Sequence, residues 1–150
     1  MRLLHIADLH IGKRVCEFSM LEDQRHVLSQ VVGLVSERGV DAVLVAGDLY
    51  DKSMPSAEAV ALVDWFLESL AATGAQAVVI PGNHDSARRL GFAADLMREG
   101  LIIRARTAGL DRGIILPDGR KLMAVREPAG YGMRISGVSP GSARESGMEM

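Results

Sequence analysis

Three short apolar runs, residues 3–7, 40–46 and 76–80, each stop abruptly at a cluster of polar residues. The clusters are Asp8-Leu9-His10, Gly47-Asp48-Leu49-Tyr50-Asp51 and Pro81-Gly82-Asn83-His84-Asp85. Short runs without polar alternation read as strands buried on both faces. Between them the apolar residues recur at helical spacing. Val27, Leu28, Val31, Val32 and Val35 form one such stretch, entered through Ser19 and Glu22 in the pattern of a capping box and stopped at Gly39. Residues 57–72, led in by Pro55 and Ser56 and ended at Gly74, form a second, and residues 86–99, ended at Gly100, a third. Residues 13–18 read as a loop, 101–103 as a further strand, and 114–116 with 122–125 as a hairpin turning through Pro117-Asp118-Gly119-Arg120. Alternation of strands and helices predicts an α/β fold: a layered sheet, parallel at least in its first half, flanked by helices on both faces.

Composition limits how much can be built on that sheet. A chain of 150 residues, 48% hydrophobic, can bury one good core. The formal net charge of -2 argues against a strongly basic nucleic-acid binder, but it averages two unequal halves. Residues 1–85 carry 6 Lys/Arg against 12 Asp/Glu, and residues 86–150 carry 11 against 7. An acidic half suits cations and a basic half suits phosphates, although uneven surface charge alone accounts equally well for the split. The single Cys16 fits a reducing compartment, and no run approaches a membrane span, so a cytoplasmic protein without membrane contact is expected. From Pro128 onward five Gly, two Pro and four Ser replace any clear period. The expected division is a domain over residues 1–127 and a poorly structured tail over 128–150.

In α/β sheets ligands gather at the carboxyl ends of the strands, and all three polar clusters fall there. Asp8 and His10, two apart in an extended segment, can converge on one point. Each cluster alone is a weak signal. Three on successive strand ends are hard to obtain by accident. Carboxylates with an amide oxygen suit hard octahedral ions, and imidazoles shift the preference toward transition metals, so Mn²⁺ is expected, with Mg²⁺ as the alternative. Asp8, His10, Asp48 and Asn83 are the candidate metal ligands, with Asp48 as a bridge between two ions. His84 is the candidate proton donor to a leaving oxygen. Asp51 and Asp85 read as residues that support the ligands. Arg88 and Arg89, badly placed for the dipole at a helix start, are candidates for a phosphate contact, though plain solvent exposure is commoner. His5 reads as a core histidine and His26 as a solvated one. Trp65 lies opposite the apolar stripe of its helix and is a candidate dimer contact, or else a residue covered by a neighbour.

The segments LLHIADLHIGKR, VDAVLVAGDLYDKSMPSAEAV and GNHDSARRLGF resemble the first three motifs of the calcineurin-like metallophosphoesterases, and more narrowly those of the bacterial SbcD nucleases. The resemblance covers residues 1 to about 105. It implies an Mn²⁺-dependent exonuclease and endonuclease acting on DNA in double-strand-break repair, together with an SbcC-type ATPase. By the same resemblance Asp8 and His10 would hold the first ion, Asp48 would bridge, Asn83 would hold the second and His84 would assist the transition state. Members of that family dimerise through helices matching residues 57–72 and 86–99. Their complete site takes further histidines from later loops, whereas this chain has none after His84, so a truncated domain with impaired activity is expected. Two other readings stay open from the residues: a small phosphodiesterase acting on nucleotides, and a non-catalytic metal-binding or dimerisation module.

Overall fold

The computed structural model describes residues 1–82, 85–91, 100–104, 113–127 and 130–136. In chain order the elements are β1 (Leu3–Ala7), β2 (Arg14–Val15), β3 (Phe18–Ser19), α1 (Leu21–Arg38), β4 (Ala42–Ala46) and α2 (Ala57–Ala72). They continue as β5 (Gln76–Ile80), α3 (Ala87–Leu90), β6 (Leu101–Ile103), β7 (Ile114–Ile115), β8 (Lys121–Glu127) and β9 (Gly130–Ser136). β1, β4, β5 and β6 form one parallel sheet in that order. β7, β8 and β9 form a separate antiparallel sheet.

Both faces of the parallel sheet are covered, which is why its strands read as unbroken apolar runs. Val43 and Val45 of β4 and Ala77 and Val79 of β5 join Leu28 and Val35 of α1 and Leu62, Phe66 and Leu70 of α2 in one core. The intervening Ala42, Leu44 and Val78 join Ile114, Leu116 and Leu122 in a second. Helices α1 and α2 therefore pack on one face and the β7–β8 hairpin on the other. This corrects the expectation of helices on both faces. Sheet order never reverses from β1 through β6, and right-handed crossovers that all step in one direction leave their helices on one side.

Several local expectations hold. α2 spans the expected residues, and the Ser56 hydroxyl caps it by accepting the Ala59 N–H at 3.2 Å. Gly39 ends α1 in the left-handed conformation while the N–H of Val40 returns to the Val35 carbonyl at 3.0 Å. His26 is exposed beside Gln30, whereas His5, expected in the core, is only half-buried in mid-strand. The β7–β8 hairpin pairs Ile114 with Leu122 and Ile115 with Lys121. The expected third helix is helical over α3 and turns at Gly91, residues 92–99 lying outside the described residues.

Others do not hold. The capping box of Ser19 with Glu22 is absent: Ser19 pairs with Arg14 in a small hairpin, and α1 starts behind Met20 with no side-chain cap bond. Residues 13–18 are therefore not a plain loop. Cys16 and Glu17 turn that hairpin with φ of 46° and 68°, the mirror-image turn that strand twist favours, but without the glycine or asparagine that would have marked it. Of the two readings of Trp65 the covered one holds, with a helix residue in place of a loop as the cover. Trp65 is half-buried against the α1–α2 core, and the Arg25 guanidinium of α1 stacks 4.2 Å from its ring centre, an intramolecular cation–π contact. Within the expected unstructured tail, residues 130–136 form β9 and pair with β8 from Glu127↔Gly130 to Lys121↔Ser136. Tyr131, Met133 and Ile135 alternate along it with Gly132 and Arg134, a period of two that the surrounding glycine-rich composition obscured. Residues 137–150 lie outside the described residues.

Candidate metal centre

Pairing between β1 and β4 does not stop where the strands end. The N–H of Asp8 donates to the Ala46 carbonyl at 3.3 Å, His10 to Asp48 at 2.9 Å and Ile11 to Leu49 at 2.9 Å, and Asp51 donates back to Ile11 at 3.1 Å. The two loops thus leave the sheet side by side. Asp8 and His10 are bent into the left-handed region, with φ of 53° and 44°. For residues other than glycine that region costs about 1–2 kcal/mol each. In the neighbouring loop Gly47, with φ of 76°, makes the corresponding bend at no such cost and leaves Asp48 free to follow.

The result is convergence: one ligand atom each from Asp8, His10 and Asp48 lies within 4.8 Å of the others. Donors to a single ion at about 2.1 Å sit roughly 3–4 Å apart, so small side-chain rotations close the set. His10 presents Nε2 at 3.9 Å from the Asp48 carboxylate, while its Nδ1 lies 3.6 Å from Asp51 on the other side. Asp48 and Asp51 therefore face the two nitrogens of the His10 ring from opposite sides. Side-chain exposure is 32% for His10 and 13% for Asp48, and Asp8 is exposed, so the cluster opens to solvent along one side. Two carboxylates and an imidazole match a hard or borderline divalent cation, and Asp51 adds a further negative charge nearby.

A third loop is tied to this pair through Asp85, a buried carboxylate. It accepts the N–H groups of Leu49 at 2.8 Å, Tyr50 at 2.9 Å and Gly82 at 2.9 Å. Gly82 itself passes so close to Asp48 that a Cβ there would collide with the Asp48 backbone nitrogen and carboxylate oxygen. Asn83 and His84, between these two anchored residues, lie outside the described residues. Burial, with the Asp85 and then the Asp64 charges, pushes the Tyr50 hydroxyl up to about 12. Asp85 thus ties the three N–H groups of two loops to one carboxylate. Arg88 and Arg89 are both exposed, and the Arg89 guanidinium donates to the Ser53 carbonyl at 3.2 Å, which joins α3 to the loop before α2.

Sequence reasoning missed Gln24 altogether. Its amide nitrogen donates to the carbonyls of His10 at 2.8 Å and Leu9 at 3.3 Å, and its oxygen accepts the Gly12 N–H at 3.0 Å. The available signal was a polar residue four places before Leu28, on the buried stripe of α1. Beside this loop a cleft of about 430 Å³ runs between the β2–β3 hairpin and the start of α2, lined by Ile11, Gly12, Arg14, Lys52 and Met54 among others.

The model of the calcineurin-like phosphoesterase family matches residues 1–120, and so takes in all three loops. The chain belongs to the calcineurin-like phosphoesterases. Among relatives of this phosphoesterase is the D subunit of the SbcCD nuclease of Staphylococcus epidermidis, 35% identical over 118 residues. The match takes in 77% of this chain and 32% of the relative, so the phosphoesterase chain spans about a third of that relative's length. Hydrolysis of phosphate esters with metal assistance is the chemistry of the family, and the donor set of Asp8, His10 and Asp48 fits it. No helix among the described residues is long and apolar enough to cross a membrane.

Proposed function

We propose that the chain carries the N-terminal part of a two-metal phosphodiesterase site of the SbcD nuclease type, acting on DNA. The observation that carries this reading is the convergence of Asp8, His10 and Asp48 where β1 and β4 end. Asp8 and His10 would hold one Mn²⁺, Asp48 would bridge to a second, and Asn83 would complete the hold on that second ion. Bound there, the ions supply positive charge that activates a water and clamps the phosphoryl oxygens during in-line displacement. The protein's own part is positional. Asp51 steadies the His10 ring, Asp85 and Gly82 keep the third loop against Asp48, and His84 gives a proton to the departing oxygen. Arg14 and Lys52, lining the adjacent cleft, would meet flanking phosphates of the strand, and Arg88 would meet one further along.

The relative's name, which makes it the D component of an SbcCD nuclease, supports a nuclease reading and a C-type partner subunit; an ATPase activity of that partner, a role in DNA repair and a cytoplasmic location are part of the proposal. Mn²⁺ titration with bis-p-nitrophenyl phosphate and with duplex DNA tests the reading. Hydrolysis should require Mn²⁺ and fall by more than about 100-fold in Asp48→Ala, since even supporting residues of metal sites are worth 10–100-fold. Hydrolysis indifferent to that substitution sinks the site. Turnover of cyclic nucleotides with none of duplex DNA would instead mark a nucleotide phosphodiesterase.

A further inference from the structure

His10 takes part in the cluster only because its backbone is held in a conformation that histidine does not favour, with φ of 44°. On one edge the holding is done by β4: the N–H of His10 donates to Asp48 and that of Ile11 to Leu49, both at 2.9 Å. Those bonds take up the donors of the segment and leave the carbonyls of Leu9 and His10 turned the other way, toward α1. There one side chain meets both, and the Lys13 N–H adds a bond to the His10 carbonyl at 3.1 Å. The Gln24 amide nitrogen donates to both carbonyls, at 3.3 and 2.8 Å, while its oxygen accepts the Gly12 N–H at 3.0 Å.

Only a group with a donor and an acceptor on one rigid plane can satisfy both carbonyls and the N–H from one position, and the primary amide is that group. A carboxylate would set a second oxygen against two carbonyl oxygens, and an alkyl side chain would leave the Leu9 carbonyl and the Gly12 N–H without Gln24 in a half-buried place and the His10 carbonyl with the Lys13 N–H alone. Gln24 sits in the first turns of α1, whose position is fixed by Leu28 and Val35 in the core. The loop is therefore referenced to the helix layer as well as to the sheet. We propose that Gln24 is a positioning residue of the metal centre: it locks the left-handed turn at His10 and thereby sets the direction in which the imidazole meets Asp8 and Asp48. The proposal rests on the metal-centre reading above, and its test separates the two.

Gln24→Met and Gln24→Glu are compared with Leu28→Ala, which removes core packing one turn further along α1 and none of the Gln24 hydrogen bonds. In the folded proteins, well below their melting temperatures, the Mn²⁺ dissociation constant should rise about tenfold or more in both Gln24 variants and stay at the wild-type value in Leu28→Ala. Without metal, hydrogen exchange at the Gly12 amide should speed up in Gln24→Met and remain slow in Gln24→Glu, which keeps the acceptor. The His10 ring resonances should shift in both Gln24 variants. Wild-type Mn²⁺ affinity in Gln24→Met overturns the proposal, as does an equal loss in Leu28→Ala. If the wild type binds no Mn²⁺, the metal-centre reading fails, and unchanged Gly12 exchange and His10 resonances then overturn the positioning role on their own.

Discussion

The loops that follow β1 and β4 lie side by side and do the same job, yet they are held in opposite ways. After β4 the left-handed bend falls on Gly47, and the N–H groups of Leu49 and Tyr50 converge on the carboxylate of Asp85. After β1 the bends fall on Asp8 and His10 themselves, and the carbonyls of Leu9 and His10 converge on the amide of Gln24. The difference follows from spacing. Asp8-Leu9-His10 delivers two candidate ligands from three residues, with no position to spare for a glycine, whereas Gly47-Asp48 delivers one with a glycine before it. A loop that presents donors is anchored by a carboxylate. A loop that presents acceptors needs a donor, and the neutral amide is the weaker anchor of the two.

If that contrast is right, Asp85→Ala should be the most damaging change to either anchor. It strands three N–H groups, two of them in the β4 loop, and should cost about 3 kcal/mol or more in a urea melt. Asp85→Asn, with one acceptor oxygen left, should fall between. A larger loss from Gln24→Ala than from Asp85→Ala would break the ranking of the anchors. Gly82→Ala comes next, at about 1–3 kcal/mol, because the new Cβ must push on the Asp48 backbone and carboxylate. Mn²⁺ affinity should fall with it, and unchanged affinity would show that Asp48 had moved without consequence. Gly47→Ala should cost about 1–2 kcal/mol, the steric penalty already borne at Asp8 and His10. A neutral result there would mean that the β4 loop can reshape and that the glycine is incidental.

The smallest effect at neutral pH concerns Tyr50, whose hydroxyl titrates near 12 in the fold against an ordinary 10.0. Above pH 10 the unfolded chain gives up this proton before the folded one does, so this contribution to stability is present below pH 10 and lost between about pH 10 and 12. Tyr50→Phe should remove that share of the alkaline slope. An identical slope in the variant would show that Asp85 and burial do not act on this hydroxyl.

Much of the site was legible as sequence because strands announce their own ends. A buried strand is an apolar run, and the first polar residues after it mark the sheet's carboxyl edge; the ends of β1 and β4 therefore placed Asp8, His10 and Asp48 on one edge from the sequence alone. Helix α2 was equally legible, since Pro55, Ser56 and a continuous apolar stripe agree on its start and its buried face. The β2–β3 hairpin was not, because its turn residues, Cys16 and Glu17, carry no turn signature. The choice between the two readings of Trp65 was open for a different reason. Projection of α2 alone shows a tryptophan off the apolar stripe, and only the packing of α1 brings Arg25 over its ring. The covering of the second sheet face was misjudged because strand order across the sheet has no local signature.

What the sequence by itself determined is the set of strands and the chemistry at their ends, since both follow from residue type and short-range spacing. What only the tertiary structure decided is how those ends are held. Gln24 reaches a loop 12–15 residues away and Asp85 one 35–36 residues away, and bonds across such separations form only after the sheet and helices have packed.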